Sequence, residues 1–296
     1  MWDYKSLFRN RELRLKFIQA LRFIPDRLYL KLVYWLKTGQ RLNLDKPVTF
    51  CDKMNWLKLN EKHPEYTQLV DKIEVHKYIE QKLGEDICLP MLGNWKHYDE
   101  IDFSTLPDQF VLKCNHDSGS VKIIHDKHNM NHLELRRFFE ARLKRNPFPD
   151  GREYPYKNVK PRIYAEKYMT PPGEADIDDY KFFCFNGKPE ILFVATERST
   201  DCKFDFFDMD FNHLDITNIH PQCGHEISKP ECFEEMKSLA AKLSQGMKFV
   251  RIDLYQIQGK VYFGEFTFFH AGGFWPLKPE EWEVKLGNMI LLTPPK

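Results

Sequence analysis

The sequence predicts an α+β protein, with helices gathered in the first third and strands dominating the rest. Apolar residues recur at helical spacing up to Gly84, and from Pro107 onward they alternate with polar ones. The 296 residues are 42% hydrophobic and 15% aromatic, enough for a large core and for about two domains at ~100–200 residues each. Forty-four Lys and Arg against 43 Asp and Glu leave a net charge of +1, which argues against a general nucleic-acid binder. The seven cysteines include no Cys-x-x-Cys pair and read as free thiols. No apolar run approaches the ~18 residues of a membrane span. Charges scattered from Asp3 to Lys16 leave no signal-peptide core, so a cytoplasmic chain is expected.

The elements follow in order. Leu13, Phe17, Leu21 and Ile24 share a helical face that Pro25-Asp26 interrupts. Leu28, Leu32 and Leu36 mark a second helix ending at Gly39. Basic residues stud both helices, so this stretch reads as a packed pair with a solvated face or as a surface for anionic lipid. Two more helices are expected over 49–83, and Pro90, Gly93 and Trp95 mark a boundary. Two short strands with a tight loop fill 107–124, a helix lies near 131–145, and 146–161 is a Pro-rich loop. Strands are predicted at 162–169, 180–187, 190–196 and 204–208, a helix at 230–245, and a hairpin at 249–268 before a Gly-Gly loop.

P-loop, dinucleotide-binding, zincin and nucleophile-elbow motifs are all absent. His125, His128 and His132 lie in a polar run without a thiolate and read as a solvated loop. Asp208-Met209-Asp210 is a D-x-D of the kind that holds a metal against a sugar nucleotide, but the motif is short and common in turns, and Phe211-Asn212-His213 after it reads as a β-turn.

The hairpin carries the chemistry. Val250, Ile252 and Leu254 share one strand face, and Arg251, Asp253 and Tyr255 share the other. Aligning the apolar faces sets Asp253 opposite Glu265 and Arg251 opposite Thr267, and an odd-length loop such as Gln258-Gly259-Lys260 satisfies that register. Facing carboxylates repel. Either a divalent cation offsets the repulsion, with Arg251 on an anionic oxygen, or Arg251, Asp253 and Glu265 form a salt-bridge cluster. Upstream, Phe110–Lys113 leads through Cys114-Asn115-His116-Asp117-Ser118-Gly119-Ser120 into Val121–Ile124. Such a loop can lay N–H groups along a polyphosphate beside Lys113, or it is an ordinary hairpin turn. Glu166-Lys167-Tyr168-Met169 ends a strand and can read an adenine edge or be an ordinary strand end.

Placed in order, these segments resemble the TupA-like ATP-grasp family, associated with bacterial polysaccharide and teichuronopeptide synthesis. The resemblance runs through Pro25–Lys31, Pro47–Phe50, Lys53, Trp56–Leu59, Asp71-Lys72, Leu106–His116, Ala165–Tyr168, Asp179–Pro189 and Gly264–Phe268. It implies an ATP-grasp fold: a helical region over 1–95, a small lobe with the glycine loop over 96–165, and a large lobe with the hairpin over 166–296. It implies ATP between two β-rich lobes, with Lys113 at the α-phosphate and His116, Ser118, Gly119 and Ser120 over the β- and γ-phosphates. Glu166, Lys167, Tyr168 and Met169 would form the adenine hinge with Lys181 nearby, Asp253, Glu265 and Thr267 would hold Mg²⁺, and Arg251 would stabilise the transferred phosphoryl group.

The implied reaction is carboxylate–amine ligation through an acyl phosphate. A uronic acid of a surface polysaccharide or its precursor would be the carboxylate, and an amino acid or another amine the partner. His116, Arg198, His270, Gly272 and Gly273 are candidates for the acceptor side. The basic N-terminal helices offer peripheral contact with membrane or synthesis machinery, and no nucleic-acid partner is implied. The sequence departs from the family in four places: Thr267 replaces an Asn, His270 replaces a Pro, Asp117 and Ser120 occupy a loop usually richer in Gly, and residues 1–95 read as mainly helical where ATP-grasp enzymes usually have an N-terminal α/β domain. The alternative is a metal-dependent glycosyltransferase built on Asp208 and Asp210.

Overall fold

Pro25 presets the backbone for helix α1 (Asp26–Thr38), with Asp26 in its first turn and Lys37 in its last to complement the helix dipole. A computed structural model describes residues 20–173 and 175–293, so the expected helical face at Leu13 and Phe17 lies outside the described residues. The buried face of α1 is Tyr29, Leu30, Val33 and Tyr34, not the expected Leu28–Leu32–Leu36 line, and Leu28 is 58% exposed. Two phenol rings bury more apolar area than the leucines, and the Tyr29 hydroxyl donates to the Asp150 carbonyl at 2.9 Å. Arg27 and Lys31, two of the basic residues considered for lipid, both reach Asp45, at 2.5 and 3.4 Å.

Helix α2 (Phe50–Asn60) begins in a capping box: Thr49 Oγ1 accepts from Asp52 N at 3.1 Å, and Asp52 accepts from Thr49 N at 3.2 Å. It is buried nearly all round, through Phe50, Cys51, Met54, Trp56 and Leu57, and so sits in the middle of the main core. Short α3 (Tyr66–Val70) and α4 (Val75–Leu83) follow.

Two antiparallel sheets come next. The small sheet has the order β1-β4-β2-β3, from β1 (Met91–Trp95), β2 (Phe110–Cys114), β3 (Val121–Ile124) and β4 (Ile163–Lys167). Residues 91–95, read from the sequence as the close of the helical region, are therefore a strand on β4, and 165/166 falls inside β4. One face of this sheet packs Phe110, Leu112, Ile163 and Ala165 with Leu135 and Phe139 of α5 (His132–Leu143) as a core of its own. The Pro-rich loop contains the one-turn helix α6 (Phe148–Gly151) and a 3-10 turn at Tyr154–Asn158.

The large sheet has the order β10-β9-β5-β6-β7-β8, from β5 (Asp179–Phe185), β6 (Lys188–Thr196), β7 (Lys203–Asp208), β8 (His213–Leu214), β9 (Phe249–Ile257) and β10 (Lys260–Thr267). Helix α7 (Phe233–Leu243) packs Phe233 against Phe182 on one face, while α2 and α8 (Glu280–Met289) cover part of the other. Among the described residues no helix is long and apolar enough to cross a membrane. All seven cysteines are free thiols.

Candidate active site

Strand parity builds the site. Arg251, Asp253 and Tyr255 on β9 share a face with Asp179 and Lys181 on β5, and the register sets Asp253 between Lys181 on one side and Glu265 on the other. Arg251 likewise lies opposite Thr267. The expected pairings therefore form, but the expected three-residue loop does not. The turn is the two-residue Gln258-Gly259, with φ of 51° and 74°, and Lys260 already pairs with Ile257. Two left-handed residues match the twist of the flanking strands, which is why two-residue turns close hairpins well. The odd residue goes into β10 instead, as a bulge at Gly264 between Phe263 and Glu265. A Cβ there would lie 2.9 Å from the Tyr255 ring and 3.1 Å from the Asp253 carbonyl oxygen, so this tight place takes glycine.

The charges are interlocked. Arg251 grips Asp253 with Nε on Oδ1 and Nη2 on Oδ2, both at 2.6 Å, and Nη2 also reaches Glu265 at 3.3 Å. Lys181 bonds Asp253 from the other side and stands 2.5 Å from Asp179, which Arg198 approaches at 3.4 Å. Burial would raise Asp253, but Arg251 and Lys181 outweigh it and hold the carboxyl down at about 2. Asp179 moves the other way, because burial outweighs its lysine. Thr267 Oγ1 accepts from Arg251 at 3.0 Å and donates to Glu265 at 3.3 Å, so its hydroxyl orients the Arg251–Glu265 pair. His270 Nδ1 accepts from Arg251 Nη1 at 3.0 Å, and Nε2–H donates to Asn218 Oδ1 at 3.0 Å. Burial and Arg251 keep this imidazole neutral, well below its ordinary range.

The small sheet supplies the opposing charges. Lys113 and Glu166 form an ion pair on its second face, and buried Tyr164, pushed up by burial, lies in the field of Glu166, Tyr255 and Glu265. The glycine loop is tied down at its ends: Ser120 Oγ donates to Asp117 Oδ2 at 2.5 Å, and Lys72 donates to the Asp117 carbonyl at 2.6 Å. The same Lys72 ammonium stands 3.8 Å from Glu265, so one side chain links the loop to the hairpin. Ser118 and Gly119, at the loop tip, are exposed. His116 corrects an expectation. It is buried against the Arg142 carbonyl at 3.2 Å and packs the loop onto α5 instead of lining an open acceptor face.

Of the remaining hinge residues, Lys167 bonds the Pro90 carbonyl through its backbone, and Tyr168 meets His125 edge to face. The Gly272 and Gly273 carbonyls are held from α2 by Lys58 and Asn55, at 2.5 and 2.7 Å. Asp208 is fully engaged in its turn, accepting from Asp210 N, Asn212 N and Asn212 Nδ2 at 2.8–2.9 Å.

A family model described as TupA-like ATPgrasp matches residues 52–291. The chain belongs to that family. The TupA-like chain is also similar to solved ligase structures. A D-alanine–D-alanine ligase from Helicobacter pylori aligns over 85% of this chain and 69% of its own, at 12% identity and TM-score 0.47. An L-amino acid ligase from Bacillus licheniformis aligns over 86% and 57%, at 14% identity and TM-score 0.46. A D-alanine–D-alanine ligase from Bacillus anthracis, complexed with ATP, aligns over 67% and 53%, at 18% identity and TM-score 0.39. The first solved structures matched are covered over only 53–65% of their length. No curated protein matches the chain.

Of the residues expected from the sequence, the structure brings Asp253, Glu265, Arg251 and Lys181 into one cluster and pairs Lys113 with Glu166, while Lys72, Asp179 and Asn218 join as partners that sequence reasoning did not single out. The Asp179/Lys181 spacing on one strand repeats the Arg251/Asp253 spacing on the next and was a usable signal. Lys72 and Asn218 come from loops whose approach only the tertiary fold sets.

Proposed function

We propose that this chain is an ATP-dependent carboxylate–amine ligase of the cytoplasm. It would join an amine or amino acid to a uronic acid of a surface polysaccharide or its precursor. The observation that supports this best is the Arg251–Asp253–Lys181–Glu265 cluster, centred on buried Arg251 and Asp253, with Lys72 linking its Glu265 to the glycine loop. Asp253 and Glu265 offer ionised, hard oxygen donors side by side, and the cations now on them are what such carboxylates attract. They would hold Mg²⁺, which when bound neutralises phosphate charge.

In this reading Lys113 meets the α-phosphate and the 116–120 loop covers the β- and γ-phosphates. Residues 166–169 read the adenine, with Lys181 nearby. Arg251, locked by Asp253 and His270, faces the phosphoryl group in flight. The acceptor carboxylate oxygen forms a bond to the γ-phosphorus as the bond to ADP breaks. The amine then attacks the acyl carbon, loses a proton and expels phosphate. Positioning and charge neutralisation carry such transfers. Arg198, Gly272 and Gly273 border the acceptor side, and the basic N-terminal stretch is a candidate for peripheral membrane contact.

Thermal shift tests the reading: Mg-ATP and Mg-ADP against UDP-sugars with Mn²⁺, on wild type and Glu265→Ala. At ~100-fold over Kd, binding adds about 2.7 kcal/mol, visible as several degrees. A shift with Mg-ATP that Glu265→Ala removes is expected. A shift with a UDP-sugar alone would transfer the assignment to glycosyl transfer.

A further inference from the structure

A second concentration of charge lies where α2, α6 and the segment 152–158 meet. It surrounds a cavity of about 270 Å³ with Lys58, Lys62, Arg152 and Lys157 on its walls and Asp26 as the carboxylate among them. Asp26 lies 3.1 Å from Arg152 Nε. The three donors of Lys58 go to neutral oxygens, those of Asn55, Gly151 and Gly272. Among the described residues Lys62 and Lys157 make no ion pair, and the Lys157 ammonium rests 5.2 Å from the Phe148 ring. Lys58 stands in the field of Glu153 and Arg152 meets Asp26, so the positive charge left without a carboxylate is that of Lys62 and Lys157, beside the Arg152 guanidinium, and it attracts an anion. A phosphate suits them, since guanidinium and ammonium groups bind its oxygens strongly.

The neighbouring cavity, about 690 Å³, shares Lys62 and Tyr154 with the first. Its walls carry Trp56, His63, Tyr66 and Phe268, the last three stacked at 4.7 and 3.8 Å. Aromatic walls with a few polar groups at the rim suit the apolar face of a sugar ring. One turn borders both regions: Lys58 bonds Gly272 at the cavity, and His270, two residues earlier, bonds Arg251 in the charged cluster.

We propose that the two cavities together take a glycosyl phosphate, its phosphate among Lys62, Arg152 and Lys157 and its sugar ring against the aromatic walls. The proposal rests on the ligase reading for its purpose: the acceptor would then be a phosphorylated sugar precursor, not finished polymer. A reaction that makes sugar phosphates must precede this step, and one that releases the phosphate must follow.

Calorimetric titration of the full chain tests it, with glucuronic acid 1-phosphate, glucuronic acid, inorganic phosphate and Mg-ADP as probes. The comparison is wild type against Lys62→Gln/Lys157→Gln, two exposed positions whose change leaves the core intact. The sugar phosphate should bind at least ~10-fold tighter than either fragment, and the double variant should lose about 10-fold for it while Mg-ADP and glucuronic acid hold within about twofold. Equal sugar-phosphate affinity in the two proteins, no advantage over glucuronic acid, or displacement by Mg-ADP would each overturn the proposal. Absence of Mg-ADP binding with the sugar-phosphate difference intact would overturn the ligase reading and uphold this one.

Discussion

Lys58 is 2% exposed, yet it bonds three neutral oxygens and no carboxylate. Burial, reinforced by Lys37 and opposed by Glu153, pushes it down to about 7 from an ordinary 10.5. The unfolded chain therefore holds this proton between about 7 and 10.5 while the native state releases it, so Lys58 makes stability rise with pH across that window and adds no pH dependence below it. Urea unfolding from pH 7 to 8.5 should show wild type gaining stability relative to Lys58→Met, and parallel profiles would refute the assignment. The contrast with Asp253 shows what sequence reveals at this scale. Asp253 was legible because strand parity alone set it against Glu265. The burial of Lys58 was not, because its partners come from residues 151 and 272, far away in the chain.

At the scale of the element, the hairpin carries the lesson. Its register was readable from alternating apolar residues, since a one-residue slip would turn every core side chain outward. The position of its odd residue was not, because turn and bulge satisfy the same parity and the choice depends on local backbone fit. Filling the bulge tests its role. Gly264→Val would press a branched side chain on the Tyr255 ring and the Asp253 carbonyl, and should cost about 1–3 kcal/mol. A lowered urea midpoint with weakened Mg-ADP binding is expected. Unchanged stability would mean that the bulge relaxes freely. Helix α1 shows the opposite failure: its existence and its end at Gly39 were legible, but leucine spacing chose the wrong face because Tyr29 and Tyr34 bury their rings.

Across the whole molecule, the two sheets have separate apolar cores, so the small lobe depends on polar ties to the rest. Asn115 is the hub of those ties: Nδ2 donates to Asp71 at 2.9 Å and to the Lys160 carbonyl at 3.1 Å, Oδ1 accepts from Arg162 N at 2.7 Å, and its carbonyl accepts from Lys72 N at 3.2 Å. Arg162 extends the link to Glu74 at 2.7 Å. Asn115→Leu leaves several buried groups unmatched. Hydrogen exchange should then quicken in β2 and β3 while β5 and β6 stay protected, and uniform quickening would show one cooperative unit.

His270 gives the molecule a built-in spectator. Its Nδ1 lone pair is occupied by Arg251 and its Nε2 proton by Asn218, so a single neutral tautomer is held. Were Arg251 to leave Asp253 and His270 for an incoming anion, that lone pair would be released and the ring nitrogen's magnetic resonance frequency would shift with it. Isotope-labelled histidine would thus record each engagement of the guanidinium without any dye, tag or added reporter.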